Sequence, residues 1–532
     1  MSTQSAAMPL SADNGNLYSV LRAGFPADLN ATAVETDAGL VYSWADLERA
    51  SAMIANLFAS LDLPAGSRIA VQVDKSVEAV ALYLATLRAG HVYLPLNTAY
   101  QSSEISYFLN DAQPSVVVCR SAAFSWLSQI AFAAGAKNVF TLEDDRTGSL
   151  LDRAASMSDR HAVLTRGGDD LAAILYTSGT TGRSKGAMLS HANLASNARV
   201  LHDYWGWHAQ QAHGGDVLIH ALPIFHVHGL FVALHGALLS GSKMLWLGKF
   251  DPAVVLQMLP RATVFMGVPT LYVRLLAEAG LNRDVATNMR LFVSGSAPLL
   301  LDTFNAWKER TGCTILERYG MSETAMLTSN PYRADVRHQG ESERRGGTVG
   351  FPLPGVEVRV VDDQGAPVGE GEVGAIQVSG PNVFKGYWRM PEKTMEEFTA
   401  DGYFKTGDVG LIDERGYVQI VGRSKDLIIS GGYNVYPAEI ESVLNELPGV
   451  AESAVIGVAH PDFGEVGVAL VVPRSGAALD AQALLGELRS RLANFKIPKH
   501  CEVLSDLPRN TMGKVQKNVL RDQFRGLFER HT

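Results

Sequence analysis

Between about Val41 and Leu96 the apolar positions alternate between two periods. SWADLERASAMIANLFASL, from Ser43, is amphipathic at helical spacing; RIAVQV, from Arg68, is a continuous apolar run of strand length; VEAVALYLATLRAG, from Val77, is helical again. The same alternation returns around PSVVVCR, DDLAAILYT, DVLIHALP, KMLWLG, ATVFMGVP and MRLFVSGS, each a short apolar strand followed by a polar or Gly-rich turn and a helix. This predicts an α/β protein with two layered α/β subdomains. From Gly350 the text changes to GVEVRVVDDQGAPVGEGEVGAIQVSG, where period-two strands and Gly/Asp turns predict a small antiparallel β-barrel or sheet. After GYVQIVGRSKDLIISGGYN the chain restarts as a compact helix–strand unit with strands such as ESAVIGV and VALVVP. The expected division is a disordered lead-in over 1–15, a large N-terminal domain over 16–422, a hinge over 423–432 and a small mobile α+β domain over 433–532.

Composition narrows the function classes. The 532 residues carry 55 Asp plus Glu against 46 Lys plus Arg, a formal charge of −9, which argues against a nucleic-acid binder. Hydrophobic residues at 47% and charged residues at 19% suit large buried cores. Cys119, Cys313 and Cys501 are far apart and odd in number, so they support neither a disulfide framework nor a zinc cluster; a reducing, cytoplasmic setting is expected. MSTQSAAMPLSADNG has no Lys or Arg and no secretory apolar run, and later apolar stretches break before about 18 residues, so no membrane span is expected. RADVRHQGESERRGG, Arg333 to Gly347, reads as a solvated loop. Oligomeric state is not legible in the sequence.

Two motif matches fail on context. GEGEVG at Gly369 has the glycine spacing of a dinucleotide loop but is followed by a strand and carries two glutamates that would repel phosphate, so a hairpin turn is expected. GRSKG at Gly182 has the spacing of a nucleophile elbow, yet AMLS after it reads as a strand, so Ser184 is not expected to be a nucleophile. The segment around it is more informative. YTSGTTGRSKG, Tyr176 to Gly186, concentrates backbone N–H groups, hydroxyls and an ammonium between two apolar segments, as a polyphosphate requires. Thr177, Ser178, Gly179, Thr180, Thr181, Gly182 and Lys185 are its candidate contacts. Its spacing is not that of a Walker A loop.

With this loop the chain resembles the adenylate-forming superfamily of acyl-CoA synthetases, adenylation domains and beetle luciferases. The resemblance extends through LPIFHVHGL, ERYGMSETAM, YFKTGDVG, GRSKD and LPRNTMGKVQKNVL, in the family's order. It implies that Tyr319, with Gly320 and Ser322, receives adenine and that Glu323 holds Mg2+ beside the phosphates. Asp408 and Arg423 would contact ribose or phosphate, and Lys425 would mark the hinge. Lys514 would be the adenylation lysine, His226 the gate beside the acyl pocket, and Gly431, Gly432 and Tyr433 the approach for coenzyme A. The implied reaction is attack of a carboxylate on the α-phosphorus of ATP, then displacement of AMP by a thiol. Catalysis falls to Lys514, Glu323, Lys185 and His226.

FHVHGLF, VPTLYVRLL, FVSGSAPLL, GMSETAMLTSNPY and GPNVFKGYWRMPEKT are similar to the malonyl-CoA synthetase branch. Arg274, one helical turn beyond Thr270 in an apolar run, is the first candidate for the distal carboxylate of malonate or methylmalonate; alternatively it snorkels to solvent or pairs with a structural acid. Arg290 is the second candidate. His228 and Ser296 join the same pocket, and Val227 and Met321 would bound the C2 substituent. The alternative is a medium-chain or aryl acyl-CoA synthetase in which Arg274 is structural. No carrier-protein signature accompanies the motifs.

Overall fold

The computed structural model describes residues 14–177, 184–207, 215–430, 433–461, 463–510 and 513–528, with backbone only at 433 and 434. Gly15 already donates its N–H to Arg166 O (2.8 Å), and the buried Asn16 side chain donates to Leu87 O (2.7 Å) and Leu164 O (2.9 Å). The lead-in expected through residue 15 is therefore structured at its end; residues 1–13 lie outside the described chain.

Two mainly parallel sheets form the large body. The first has six strands in the order Asn138–Thr141, Val116–Cys119, Arg68–Gln72, Val92–Pro95, Leu171–Thr177, Lys185–Ser190, with only the last pair antiparallel. The second has nine, and its six central strands (Ile315–Met321, Leu291–Ser294, Val264–Gly267, Val217–His220, Lys243–Trp246, Thr32–Thr36) are parallel. The apolar runs are continuous because both faces are covered. Along the nine-stranded sheet Leu218, Met244, Val264, Leu291 and Leu316 enter the core shared by the two sheets, whereas Ile219, Leu245, Phe265, Phe292 and Ile315 pack under the helices on the far side. The six-stranded sheet does the same, with Val116 and Val118 on one face and Val117 and Cys119 on the other. Helices Trp44–Ala59 and Val77–Arg88 start at Ser43 and Ser76, whose hydroxyls accept from Asp46 N and Ala79 N.

Strands Glu357–Val361, Gly374–Ser379, Phe404–Ile412 and Val418–Arg423 form the small antiparallel unit. The Gly369 segment is the turn expected before its second strand, with Glu372 Oε2 accepting from Gly369 N (2.9 Å). The Arg333–Gly347 segment is not simply solvated: Arg345 pairs with Asp413 (2.6 Å), and Glu341 and Glu343 pair with Arg415 (2.7 and 2.8 Å), which pins it to the hairpin before Val418. A last five-stranded sheet contains Ile428–Ser430, Tyr433–Val435, Val450–His460, Gly464–Pro473 and His500–Val503. The three cysteines are free, and no helix of the described residues is long and apolar enough to cross a membrane.

Candidate active site

The parallel strands of both sheets end at one cavity of about 710 Å³. Val73, Pro95, Ala221, Gly248, Val268 and Ser296, each at or just beyond a strand's C-terminal end, lie in its wall. This is where open α/β sheets place ligands, because the loops there are free to vary while the strands stay fixed. Asp74, Lys75, Arg120 and Lys249 line it, as do His226, His228, Thr270 and Gly513. Lys75 donates to His220 O and Leu247 O (2.7 Å each) over the Trp246 ring, tying the two sheets together.

Two short chains of contacts organise the residues expected to meet phosphate and nucleoside. In the first, the Lys185 ammonium lies 4.2 Å from the Tyr387 ring centre, and the Tyr387 hydroxyl donates to Glu323 Oε1 (3.0 Å). Burial pushes the Glu323 carboxyl up, opposed by Tyr387 and the Lys185 charge. Lys185 starts the strand Lys185–Ser190 opposite Thr177, and the Ser184 carbonyl accepts from Tyr107, consistent with a backbone role there. In the second, Tyr319 donates to Asp408 Oδ2 (2.5 Å) while Arg423 Nε holds Oδ1 (2.8 Å). Asp408 and Arg423 are register partners on adjacent strands, so the sheet itself presents this pair. Gly320 must be glycine, since a Cβ would stand 2.0 Å from Ala325 O. Ser322 and Glu323 lie in the turn between this strand and Ala325–Ser329.

Lys514 is presented by a tight loop in which Asn510 N–H donates to Lys514 O (2.9 Å) and Lys514 N–H to Asn510 Oδ1 (3.0 Å). Its side chain is exposed, yet the surrounding protein crowds the ammonium: desolvation first, then the Arg423 charge, pushes it down to about 8 against the pull of Asp408. Lys425 lies in the single 3₁₀ turn Ser424–Asp426 that follows strand Val418–Arg423.

The acyl side corrects the sequence reading. Arg274 is exposed, its guanidinium stacked 4.7 Å from the ring centre of Phe250, which lines the cavity; it is therefore not the buried cation expected. Arg290, the second candidate, does not line the cavity. It precedes strand Leu291–Ser294, at the end away from Ser296, and binds buried Asp216 bidentately (2.7 and 2.6 Å) with a third bond to Trp205 O (2.8 Å). The buried guanidinium is Arg318, 2% exposed, with Nε and Nη2 unpartnered among the described residues. Burial holds it down to about 9 against the pull of Tyr272 and Glu317; burial first, then the Lys514 and Arg318 charges, depresses His226 to about 3, and burial followed by the Arg318 charge depresses His228. Both imidazoles are thus neutral. His228 opens the π-helix His228–Leu234, and its Nδ1 lies 3.4 Å from the Ser296 hydroxyl. Ser296 takes φ +72°, which a non-glycine residue adopts only under constraint. Val227 is packed in the main core and Met321 is half-buried against it; neither lines the cavity.

Arg318 and Tyr387 went unassigned in the sequence, although ERYG and GYW were both part of the resemblance; no signal there distinguishes the face on which each side chain lies. Ser178, Gly179, Thr180, Thr181, Gly182, Gly431 and Gly432 lie outside the described residues, as does the Tyr433 side chain.

The AMP-binding enzyme family matches residues 25–388, and the AMP-binding enzyme C-terminal domain matches residues 439–514. The chain is 34% identical to the malonate–CoA ligase of Arabidopsis thaliana over 96% of this chain and 90% of that protein. It is 37% identical to the feruloyl-CoA synthase of an Amycolatopsis species over 93% and 96%. Among solved structures, ATP-bound MatB from Rhodopseudomonas palustris is 54% identical, covers 97% of this chain and 100% of its own, and superposes with a TM-score of 0.92; its apo form gives 0.82. The chain belongs to the AMP-binding enzyme family.

Proposed function

We propose that this protein is an AMP-forming malonate–CoA ligase. A malonate carboxylate oxygen attacks the α-phosphorus of ATP, the α–β anhydride bond breaks and pyrophosphate leaves. The CoA thiol then loses its proton and attacks the acyl carbonyl, and the bond to AMP breaks. The single observation that carries the choice of acid is Arg318: a buried guanidinium whose charge reaches two neutral histidines, with two nitrogens unpartnered among the described residues, calls for an anion, and the second carboxylate of a dicarboxylate supplies one. A fatty or aryl acid would leave it unpaired. The similarity to malonate–CoA ligases supports the same reading.

Lys514 bridges the attacking carboxylate and the α-phosphate, Lys185 meets the departing pyrophosphate, and Asp408 with Arg423 holds the ribose. Tyr319 is the adenine platform. Mg2+ fits Glu323, since this ion commonly takes one or two carboxylates plus phosphate oxygens and waters, and it would supply positive charge beside the α- and β-phosphates. His228 and Ser296 orient the distal carboxylate with Arg318. In the second step the C-terminal unit turns about Lys425, withdrawing Lys514 and admitting the thiol arm past residues 431–433. A panel of acids assayed for CoA-dependent AMP release tests the assignment. Malonate should give the highest kcat/KM; comparable or faster turnover of butyrate or ferulate overturns it.

A further inference from the structure

The phosphate lysine is already engaged by a carboxylate. Lys185 Nζ lies 3.3 Å from Glu397 Oε1, with about a fifth of each side chain exposed (20% and 23%). Glu397 closes the helix Pro391–Glu397, which follows the GYW segment carrying Tyr387. Its Oε1 is shared, since Lys393 Nζ lies 3.1 Å from the same atom. The neighbouring Glu396 pairs with Lys393 (2.9 Å) and makes no ion pair with Lys185 among the described residues.

We propose that Glu397 is a built-in competitor for the phosphates at Lys185, holding its ammonium without nucleotide and reclaiming it as pyrophosphate leaves. The inference rests on the reading of Lys185 as the pyrophosphate contact. Three features support it. The contact is longer than the roughly 2.7–2.9 Å of a firm charge-assisted bond, so it is readily exchanged. Polyphosphate oxygens carry more charge than one carboxylate and displace it. Glu397 is not stranded when that happens, because Lys393 remains on the same oxygen. The carboxylate thus lowers the net attraction of the site for polyphosphate without removing the lysine that binds it, and its return assists product departure. Glu397 is a positioning residue acting through Lys185.

The test uses the full-length enzyme and pyrophosphate as probe, with KM for ATP, the inhibition constant of pyrophosphate and thermal midpoint measured for Glu397→Gln, Lys185→Met, the double variant and Glu396→Gln. Glu397→Gln keeps the side-chain shape and removes its charge. It should lower both KM for ATP and the pyrophosphate inhibition constant by about fivefold, the upper range for a partly exposed ion pair. Lys185→Met should raise both, and adding Glu397→Gln to it should change nothing further. Glu396→Gln should leave pyrophosphate inhibition unaltered. If Lys185→Met weakens ATP and pyrophosphate but Glu397→Gln leaves them as they were, or weakens them, the competitor role is overturned while the Lys185 reading stands. If Glu396→Gln tightens pyrophosphate as much as Glu397→Gln, a general field effect replaces the direct pair. If Lys185→Met alters neither ligand, the Lys185 reading fails and takes this proposal with it.

Discussion

Arg318 lies so close under Gly295 that a methyl group there would stand 2.5 Å from its Cζ. Gly295 follows strand Leu291–Ser294 and Arg318 belongs to the adjacent strand Ile315–Met321, so two neighbouring strand ends leave space for one guanidinium. That space places the cation against Gly295, from where its charge reaches the two cavity histidines.

Arg318→Leu should therefore change acid preference. Malonate kcat/KM is expected to fall by roughly 2–5 kcal/mol, the range for truncating one partner of a buried charge pair. Butyrate should hold or gain, because no unpaired cation opposes its apolar end. Gly295→Ala should shift the guanidinium and weaken malonate in the same direction. A malonate-to-butyrate ratio equal to the parent's in Arg318→Leu would move the distal carboxylate site elsewhere, with Arg274 the next residue to test.

Arg290→Leu is the matched comparison. It strands Asp216, whose side chain is wholly buried, and should reduce unfolding free energy by about 3–5 kcal/mol with the acid preference retained. Urea denaturation and the same two-acid assay separate the outcomes; a changed preference with unchanged stability would return Arg290 to the acyl site.

Lys514→Ala should cost adenylation about 10²–10³ in rate while thioester formation from preformed acyl-adenylate is largely kept. The ammonium must be charged to act, and its pKa is pushed down to about 8. The kcat/KM for adenylation should accordingly fall as pH rises through about 8, with this limb missing in Lys514→Ala. Equal loss of both half-reactions, or an alkaline limb that survives the substitution, contradicts the role.

Glu317 faces away from Arg318 on the same strand; its Oε1 accepts from Leu299 N (3.0 Å) and burial pushes its carboxyl up to about 8. The folded state then binds a proton that the unfolded chain releases near pH 4.3, so this group's contribution to stability falls as pH rises between about 4.3 and 8. The slope is at most about 1.4 kcal/mol per pH unit. Glu317→Gln should flatten the decline and be more stable than the parent at pH 8. A parent-like slope in denaturation across this range would show that Glu317 does not hold the proton.

Much of this arrangement was legible in the residues because it is local. Continuous apolar runs between polar turns specified buried parallel strands, whereas the hydroxyl and glycine loop before Lys185, expected to meet phosphate, lies largely outside the described residues. The failures share a cause. Period-two alternation puts Glu317 and Arg318 on opposite faces of one strand, but sequence does not say which face meets the cavity. Arg274 looked buried because its neighbours are apolar, yet its helix, Pro269–Leu276, buries only Tyr272 and Leu275 and turns the arginine to solvent. Arg290 gained its partner from a residue 74 positions away, and Lys185 its carboxylate from one 212 positions away. The order of chemical groups was written along the chain; which buried cation keeps unpartnered nitrogens among the described residues was decided only when neighbouring strand ends of one sheet came together, because pairing depends on distance through space.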